Sequence, residues 1–326
     1  MKRYLILIII TAITMISVPL VMNKQVLSTV NEKALEDSTI PLETKESETT
    51  AAPENIAVFR SAQSTTENIS MFEYVCGSVA AEMPLAYEEE ALKAQAVACY
   101  TNALRQKSTQ GNTENGDISD DSTVHQGYID KAQRQKKWGK DFAKYEAKLQ
   151  RVVKAVESRA IYYDNELCLA AFHAISSGKT EDSENIWGTS VPYLKSVNSK
   201  GDKLSPQYAS TVAFNKEDFI KHGKDLGVTT KSSLKGSIKI TETSPTGTVL
   251  SATVCGKEYT GEEIRKAFSL RSPVFTVKAT ADAVTFSVSG YGHGVGLSQY
   301  GADYLARQGY TYDEILEHYY TDVVIK

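Results

Sequence analysis

Apolar positions recur at helical spacing in the first half of the folded region and alternate at strand spacing in the second. Between residues 71 and 83, Phe72, Val75, Cys76 and Val79 fall on one face of a 3.6-residue helix, which Pro84 stops. A second helix is predicted from about Tyr87, with Leu92, Ala96, Cys99 and Ala103 at +4, +3 and +4 spacing. Residues 106–124 read as a polar loop. A third helix, over about 141–157, turns Phe142, Tyr145, Leu149, Val152 and Val156 to one side. The period then shortens. "AIYYDN", "CLAAFHA" and "YLKSVN" read as strands, and short strands dominate about 237–289, with the helix "GEEIRKAF" among them. The chain closes on helical turns, where Thr311 and Glu314 have capping-box spacing. Helices followed by a mainly antiparallel β region define an α+β fold.

The N-terminal pattern is different. Lys2 and Arg3 precede an apolar run from Tyr4 to Met22, which as a helix would be about 28 Å long, close to the ~30 Å hydrocarbon core. No A-x-A cleavage site follows, so residues 1–22 read as an uncleaved membrane anchor with the remainder outside the cytoplasm. A cleaved signal would deliver the globular part to the same compartment. Residues 23–67, rich in Thr, Glu, Ser and Lys, read as a tether. One folded domain is expected over 68–326.

Composition narrows the function. A net charge of −4 over 326 residues speaks against a nucleic-acid partner. Cys76, Cys99, Cys168 and Cys255 form no C-x-x-C pair, which argues against a thiolate zinc site. Buried thiols and a disulfide both remain open in an exported domain.

Glu82 carries the most chemistry. It shares the face of Val75 and Val79 at the C-terminal, negative end of its helix, and both the dry surroundings and the dipole would raise its pKa. A satisfied structural carboxylate and a general acid are equally compatible with the local sequence. "FHAISSGKTED" ends in GKT, but His173 stands where a phosphate-binding loop needs glycine. What remains is a strand end delivering His173 into a turn with Ser176 and Ser177. In "GYGHGVGLSQYGA", alternating Gly290, Gly292, Gly294 and Gly296 bare one side of the backbone before a helix that Ser298 can cap, an arrangement suited to an anion. His293 sits within it. His125, Gln126 and Tyr128 follow an acidic loop with Asp117, Asp120 and Asp121, which reads either as a solvated loop or as a divalent-ion site.

Five segments in order, "YVCGSVAAEMPLAYEEEALKAQAVACYTNAL", "HQGYID", "AAFHAISSGKTEDSENIWGTSVPYLKSV", "GEEIRKAFSLRSPVFTV" and "GYGHGVGLSQYGADYLARQGYTYDEILEHYY", resemble the stage II sporulation protein D family from about residue 70 onward. The resemblance implies a peptidoglycan lytic transglycosylase that acts in engulfment during endospore formation and is held by a single-pass anchor on the extracytoplasmic side of the cell membrane. It implies that Glu82 is the catalytic acid and base, yielding a 1,6-anhydro-N-acetylmuramic acid product. Gln126, Tyr128, His173, Ser176, Ser177, His293, Ser298 and Gln299 are expected around the glycan. The last three would hold the lactyl carboxylate. A preference for strands stripped of stem peptides is implied, with stage II sporulation proteins P and M as partners. No cofactor is required. Some relatives bind zinc near the segment with His125, but the cysteines that accompany that histidine are missing here. Tyr100 replaces a common family arginine. A glycan-binding scaffold without turnover and a metal-dependent cell-wall amidase are the rival readings.

Overall fold

The computed structural model describes residues 55–110, 116–121, 124–229 and 233–326. The expected anchor over 1–22 lies outside them, and among the described residues no helix is long and apolar enough to cross a membrane. Residues 23–54 of the expected tether lie outside them as well, and its remaining part, 55–67, is mostly strand. Asn55–Arg60 (β1) and Thr65–Ser70 (β2) form an antiparallel hairpin, with the paired edge Asn55 to Ser70 leading directly into the first helix. Its polar composition hid it, because β2 is exposed along most of its length while Ile56 and Val58 of β1 alone enter the core.

Met71–Glu82 (α1) begins where the Ser70 hydroxyl accepts the Glu73 N–H at 3.2 Å, a side-chain N-cap. Glu89–Gln110 (α2) follows. Leu92, Ala96, Cys99 and Ala103 are buried as expected, but so are Ala91, Ala94, Val97 and Ala98. The helix is central and covered nearly all round. Its buried polar residues are satisfied: Thr101 Oγ1 donates to the Val97 carbonyl (2.7 Å) and accepts the Ile161 N–H (3.0 Å). Ile118–Ser119 (β3) adds to β1 in parallel. Lys131–Trp138 (α3) has no apolar stripe and was not expected; an Asp130–Gln133 capping box starts it, and Arg134 is its buried residue. Phe142–Ala155 (α4) buries Leu149, Val152 and Val153.

Ile161–Tyr163 (β4) and Glu166–Leu167 (β5) make a tight hairpin, and Phe172–His173 (β6) follows. Ser183–Trp187 (α5) leads towards a second hydrophobic core. That core is built on Ala209–Asn215 (β7), Lys216–His222 (α6), Ile238–Thr243 (β8), Val249–Val254 (β9), Lys257–Tyr259 (β10), Gly261–Ala267 (α7), Phe275–Ala279 (β11) and Ala283–Ser289 (β12). Its sheets run β10-β9-β8 and β11-β12-β7, all antiparallel. The chain then returns to the first core through Leu297–Ser298 (β13), Gln299–Arg307 (α8), Tyr312–Tyr319 (α9) and Val324–Ile325 (β14). β13 pairs with β6 in parallel and β14 with β4 antiparallel. The fold is α+β.

Candidate active site

Glu82 closes α1, and Pro84 prevents the helix from continuing past it. The 125–129 segment crosses the helix beside it. This crossing depends on Gly77: a Cβ there would lie 2.3 Å from the Tyr128 ring and 2.6 Å from the Ile129 carbonyl, so only a bare backbone admits the segment. The Gly127 N–H then donates to Glu82 Oε1 at 2.5 Å. Burial raises the Glu82 pKa; the Gly127 hydrogen bond and the charge of Lys137 act against the rise without cancelling it. A carboxyl more basic than usual, pinned through one oxygen, results.

Glu82 opens into a cavity of about 420 Å³ whose lining includes Asn102, His125, Gln126, Trp187 and His293. Asn102 clamps the opposite wall with a paired amide contact to the Ala170 backbone: its Nδ2 donates to the carbonyl and its Oδ1 accepts the N–H, both at 3.0 Å. Gln126 is tied inward. Its Nε2 donates to the Tyr74 hydroxyl (3.0 Å) and the Cys99 carbonyl (2.9 Å). His125 Nδ1 accepts the Ser119 N–H at 3.1 Å, so its ring proton lies on Nε2; burial lowers its pKa, against the charge of Asp121. His293 Nδ1 accepts the Val295 N–H at 3.1 Å. Its ring lies 5.4 Å from Trp187 and 5.7 Å from His173. Burial and the nearby Arg265 charge push its pKa down to about 4. It is neutral at any physiological pH.

Of the residues expected at the glycan, the structure brings Gln126 and His293 to the cavity with Glu82. The others lie outside that lining. Tyr128 is buried and stacks on Tyr74 at 5.5 Å, with Arg60 over its ring. His173 is buried behind His293, its Nδ1 against the Val295 carbonyl at 3.1 Å and its Nε2 without a partner; burial, reinforced by His293, pushes its pKa down to about 3. Ser176 Oγ accepts the Gly178 N–H (3.1 Å), and Ser177 Oγ donates to the Thr246 carbonyl (2.9 Å). Ser298 caps α8 and donates to the buried Asp202 at 2.8 Å, and Gln299 donates to Gln95 at 3.2 Å. The glycine-rich segment does admit a close approach, but from its own chain. A Cβ at Gly296 would sit 2.1 Å from the Ala171 carbonyl, and one at Gly292 2.7 Å from His173 Cβ. At these two glycines the close approach is made by Ala171 and His173.

Sequence reasoning missed Asn102, Trp187 and Phe172 in the lining. Asn102 lies on the same helix as the expected stripe, one residue before the buried Ala103, and its polar character was the available signal. Tyr100 lies elsewhere, in a separate cavity of about 260 Å³ with Phe72, Val75 and Val153, so the departure from the family arginine does not touch the Glu82 cavity. Among the described residues no group of three or more His, Cys, Asp or Glu side chains could hold a metal ion. The four cysteines are free thiols.

The family model described as Stage II sporulation protein matches residues 60–163, the span that carries Glu82, Asn102 and Gln126. The chain is 38% identical to stage II sporulation protein D of Bacillus subtilis (strain 168) over 315 residues, covering 94% of this chain and 89% of that one. It is 38% identical to stage II sporulation protein D of Bacillus amyloliquefaciens over 290 residues, 87% of this chain and 82% of that one. The amidase enhancer of Bacillus subtilis (strain 168) is 26% identical over 299 residues, which cover 75% of this chain and 39% of the relative. Identity at the level of the first two, sustained along most of both chains, means that the protein belongs to the stage II sporulation protein D family.

Proposed function

We propose that this sporulation protein is a peptidoglycan lytic transglycosylase acting at the cell envelope during engulfment. The observation that supports this most is a lone carboxyl, Glu82, kept basic by burial at the edge of a polar cavity. Hydrolytic glycosidases usually place two carboxyls across the scissile bond. Among the described residues, Glu82 is the carboxylate in the cavity lining. A single group suffices when no water attacks: Glu82 protonates the oxygen linking N-acetylmuramic acid to N-acetylglucosamine, and the bond to C1 breaks. The resulting carboxylate removes the proton of the 6-hydroxyl, whose oxygen closes on C1. The proton returns to Glu82 and the 1,6-anhydro product leaves. Burial disfavours the charged form of both His125 and His293, the form that would lower the pKa of the acid. Partnership with sporulation proteins P and M, and a membrane anchor over 1–22, belong to the same reading. The name of one relative, amidase enhancer, is in keeping with work beside an amidase that strips stem peptides.

Peptide-free glycan digested in ¹⁸O-water tests the chemistry. Mass spectrometry is expected to show muramic ends one water lighter than a hydrolysis product and free of ¹⁸O. Labelled reducing ends would instead establish a hydrolase.

A pH profile tests the acid. Because Glu82 must start protonated, kcat/KM is expected to fall as pH rises through its raised pKa. Lys137, which donates to the Ala80 carbonyl at 2.7 Å, favours the ionised form of Glu82. In Lys137→Met the falling limb should move to higher pH. A limb that stays in place would separate Lys137 from the acid.

A further inference from the structure

A larger cavity of about 820 Å³ lies next to that of Glu82; Arg105, Thr109, Tyr162, Tyr163, Asn165 and Tyr193 are among its lining residues. The two cavities draw their linings from the same elements. α2 gives Asn102 and Gln106 to the first and Arg105 and Thr109 to the second, neighbours at i, i+3 and i+4 spacing. The chain after β5 gives Leu167 to the second and Ala170 to the first, at most about 10 Å apart along an extended backbone, the scale of one disaccharide. The Tyr193 hydroxyl, in the second cavity, accepts at 2.7 Å the N–H of Leu169, which lines the first.

The second cavity has the groups that a carbohydrate acid needs. Tyr163 and Tyr193 meet at 5.3 Å with their planes tilted by 43°, and Lys326 lies over the Tyr162 ring at 4.6 Å. Tyrosine faces offer an apolar platform with a polar tip, matching the C–H faces and hydroxyl edges of a sugar. The β4–β5 turn holds Asp164 and Asn165 at positive φ, 48° and 63°, and Lys326 Nζ donates to Asn165 Oδ1 at 3.2 Å. Arg105 is half-buried, and among the described residues its guanidinium makes no ion pair or hydrogen bond. An arginine with all its donors unspent, beside an aromatic platform, is built for a carboxylate.

We propose that this cavity is a distal subsite for the glycan strand cut at Glu82, resting on the glycan reading above. Tyr162, Tyr163 and Tyr193 stack on the sugars, and Arg105 pairs with the lactyl carboxylate of a muramic residue one repeat away. That carboxylate is free only after the stem peptide has been removed; before, it is a neutral amide. Arg105 thus reads whether a strand is peptide-free.

Calorimetric titration of the full-length Glu82→Gln protein separates binding from turnover. The probes are peptide-free muramic disaccharide, peptide-free muramic hexasaccharide and chitin hexasaccharide, which has no carboxylate. Adding Arg105→Met is expected to weaken the muramic hexasaccharide by about tenfold and leave the disaccharide and the chitin ligand within about twofold. Adding Tyr163→Ala should weaken both hexasaccharides and spare the disaccharide, whose unchanged binding also reports an intact fold. Equal losses on short and long ligands, no loss on the muramic hexasaccharide, or no binding of it before Arg105 is changed would each overturn the subsite. Absence of an anhydro product from the unsubstituted protein would overturn the proposed chemistry and leave this binding pattern to stand or fall separately.

Discussion

Replacing Glu82 by glutamine is expected to lower release of anhydro-muramyl products from peptide-free glycan by about 10⁴-fold, the upper end of what one acid–base group supplies. The large effect follows from economy: the same side chain delivers the proton to the leaving oxygen and collects one from the 6-hydroxyl, so both halves fail together. Local geometry should survive. A glutamine keeps an oxygen that can accept the Gly127 N–H, the contact now made by Oε1 at 2.5 Å, and a neutral amide resembles the protonated acid in size and charge. Stability provides a second readout with a definite sign. Burial is the main cause of the raised Glu82 pKa, so the folded state holds this proton more tightly than the unfolded chain. Stability is therefore lost as pH rises from the ordinary carboxylate range through the folded pKa. Glu82→Gln removes that loss, and its melting temperature relative to the unsubstituted protein should increase with pH. Turnover near normal in the variant would exclude Glu82 as the acid.

The contrast between what the sequence revealed and what it hid has a physical pattern. The α1 stripe was legible because Val75, Cys76 and Val79 are grease at helical spacing, and Glu82 broke the stripe at its end. The core face of α2 was legible too, though its full burial was not, since small alanines on every side carry no directional signal. α3 was invisible. Its buried residue, Arg134, is a charge whose partners lie on two other helices, and no local pattern announces a tertiary ion pair. The β1–β2 hairpin hid in polar composition because only Ile56 and Val58 reach the core. The glycine-rich segment is ambiguous in an instructive way. Bare backbone signals that something approaches, and the spacing cannot say whether it is a ligand or the Ala171–His173 stretch of the same chain. Ser298 and Ser176 are ambiguous likewise, since a hydroxyl suited to a sugar is equally suited to Asp202 or a backbone N–H. Glu82 stood apart because an unpaired carboxylate in an apolar stripe is costly to bury for structure alone.

Arg134→Met is expected to cost about 3–5 kcal/mol and to lower the melting temperature by about 10 °C. Arg134 is fully buried. Its Nε and Nη2 donate to the two oxygens of Glu146, each at 2.9 Å, and its Nη1 reaches Glu73 Oε1 at 2.9 Å and the Ile129 carbonyl at 3.2 Å. One side chain thereby joins α3 to α1, to α4 and to the segment that brings Gly127 to Glu82. Glu73 is part-exposed, and water can replace the guanidinium there. Glu146 is buried and would keep only the Gln150 hydrogen bond (3.1 Å) in place of its ion pair, which is where most of the cost arises. Burial opposes ionisation of Glu146, and its hydrogen bonds and charge pairing with Arg134 outweigh that effect, so its pKa lies below the usual value. The stability it contributes is present above the ordinary carboxylate pKa and is lost as pH falls through the lower, folded one. Without Arg134 the same carboxyl would be raised instead, so the deficit of Arg134→Met should shrink as the solution is acidified and Glu146 takes up a proton. Arg134→Met combined with Glu146→Leu removes both charges and should recover most of the loss, since apolar pairs commonly match buried ion pairs in stability. If Arg134→Met melted like the unsubstituted protein, or if its deficit grew in acid, the guanidinium would not be what holds the Glu82 segment against its helix.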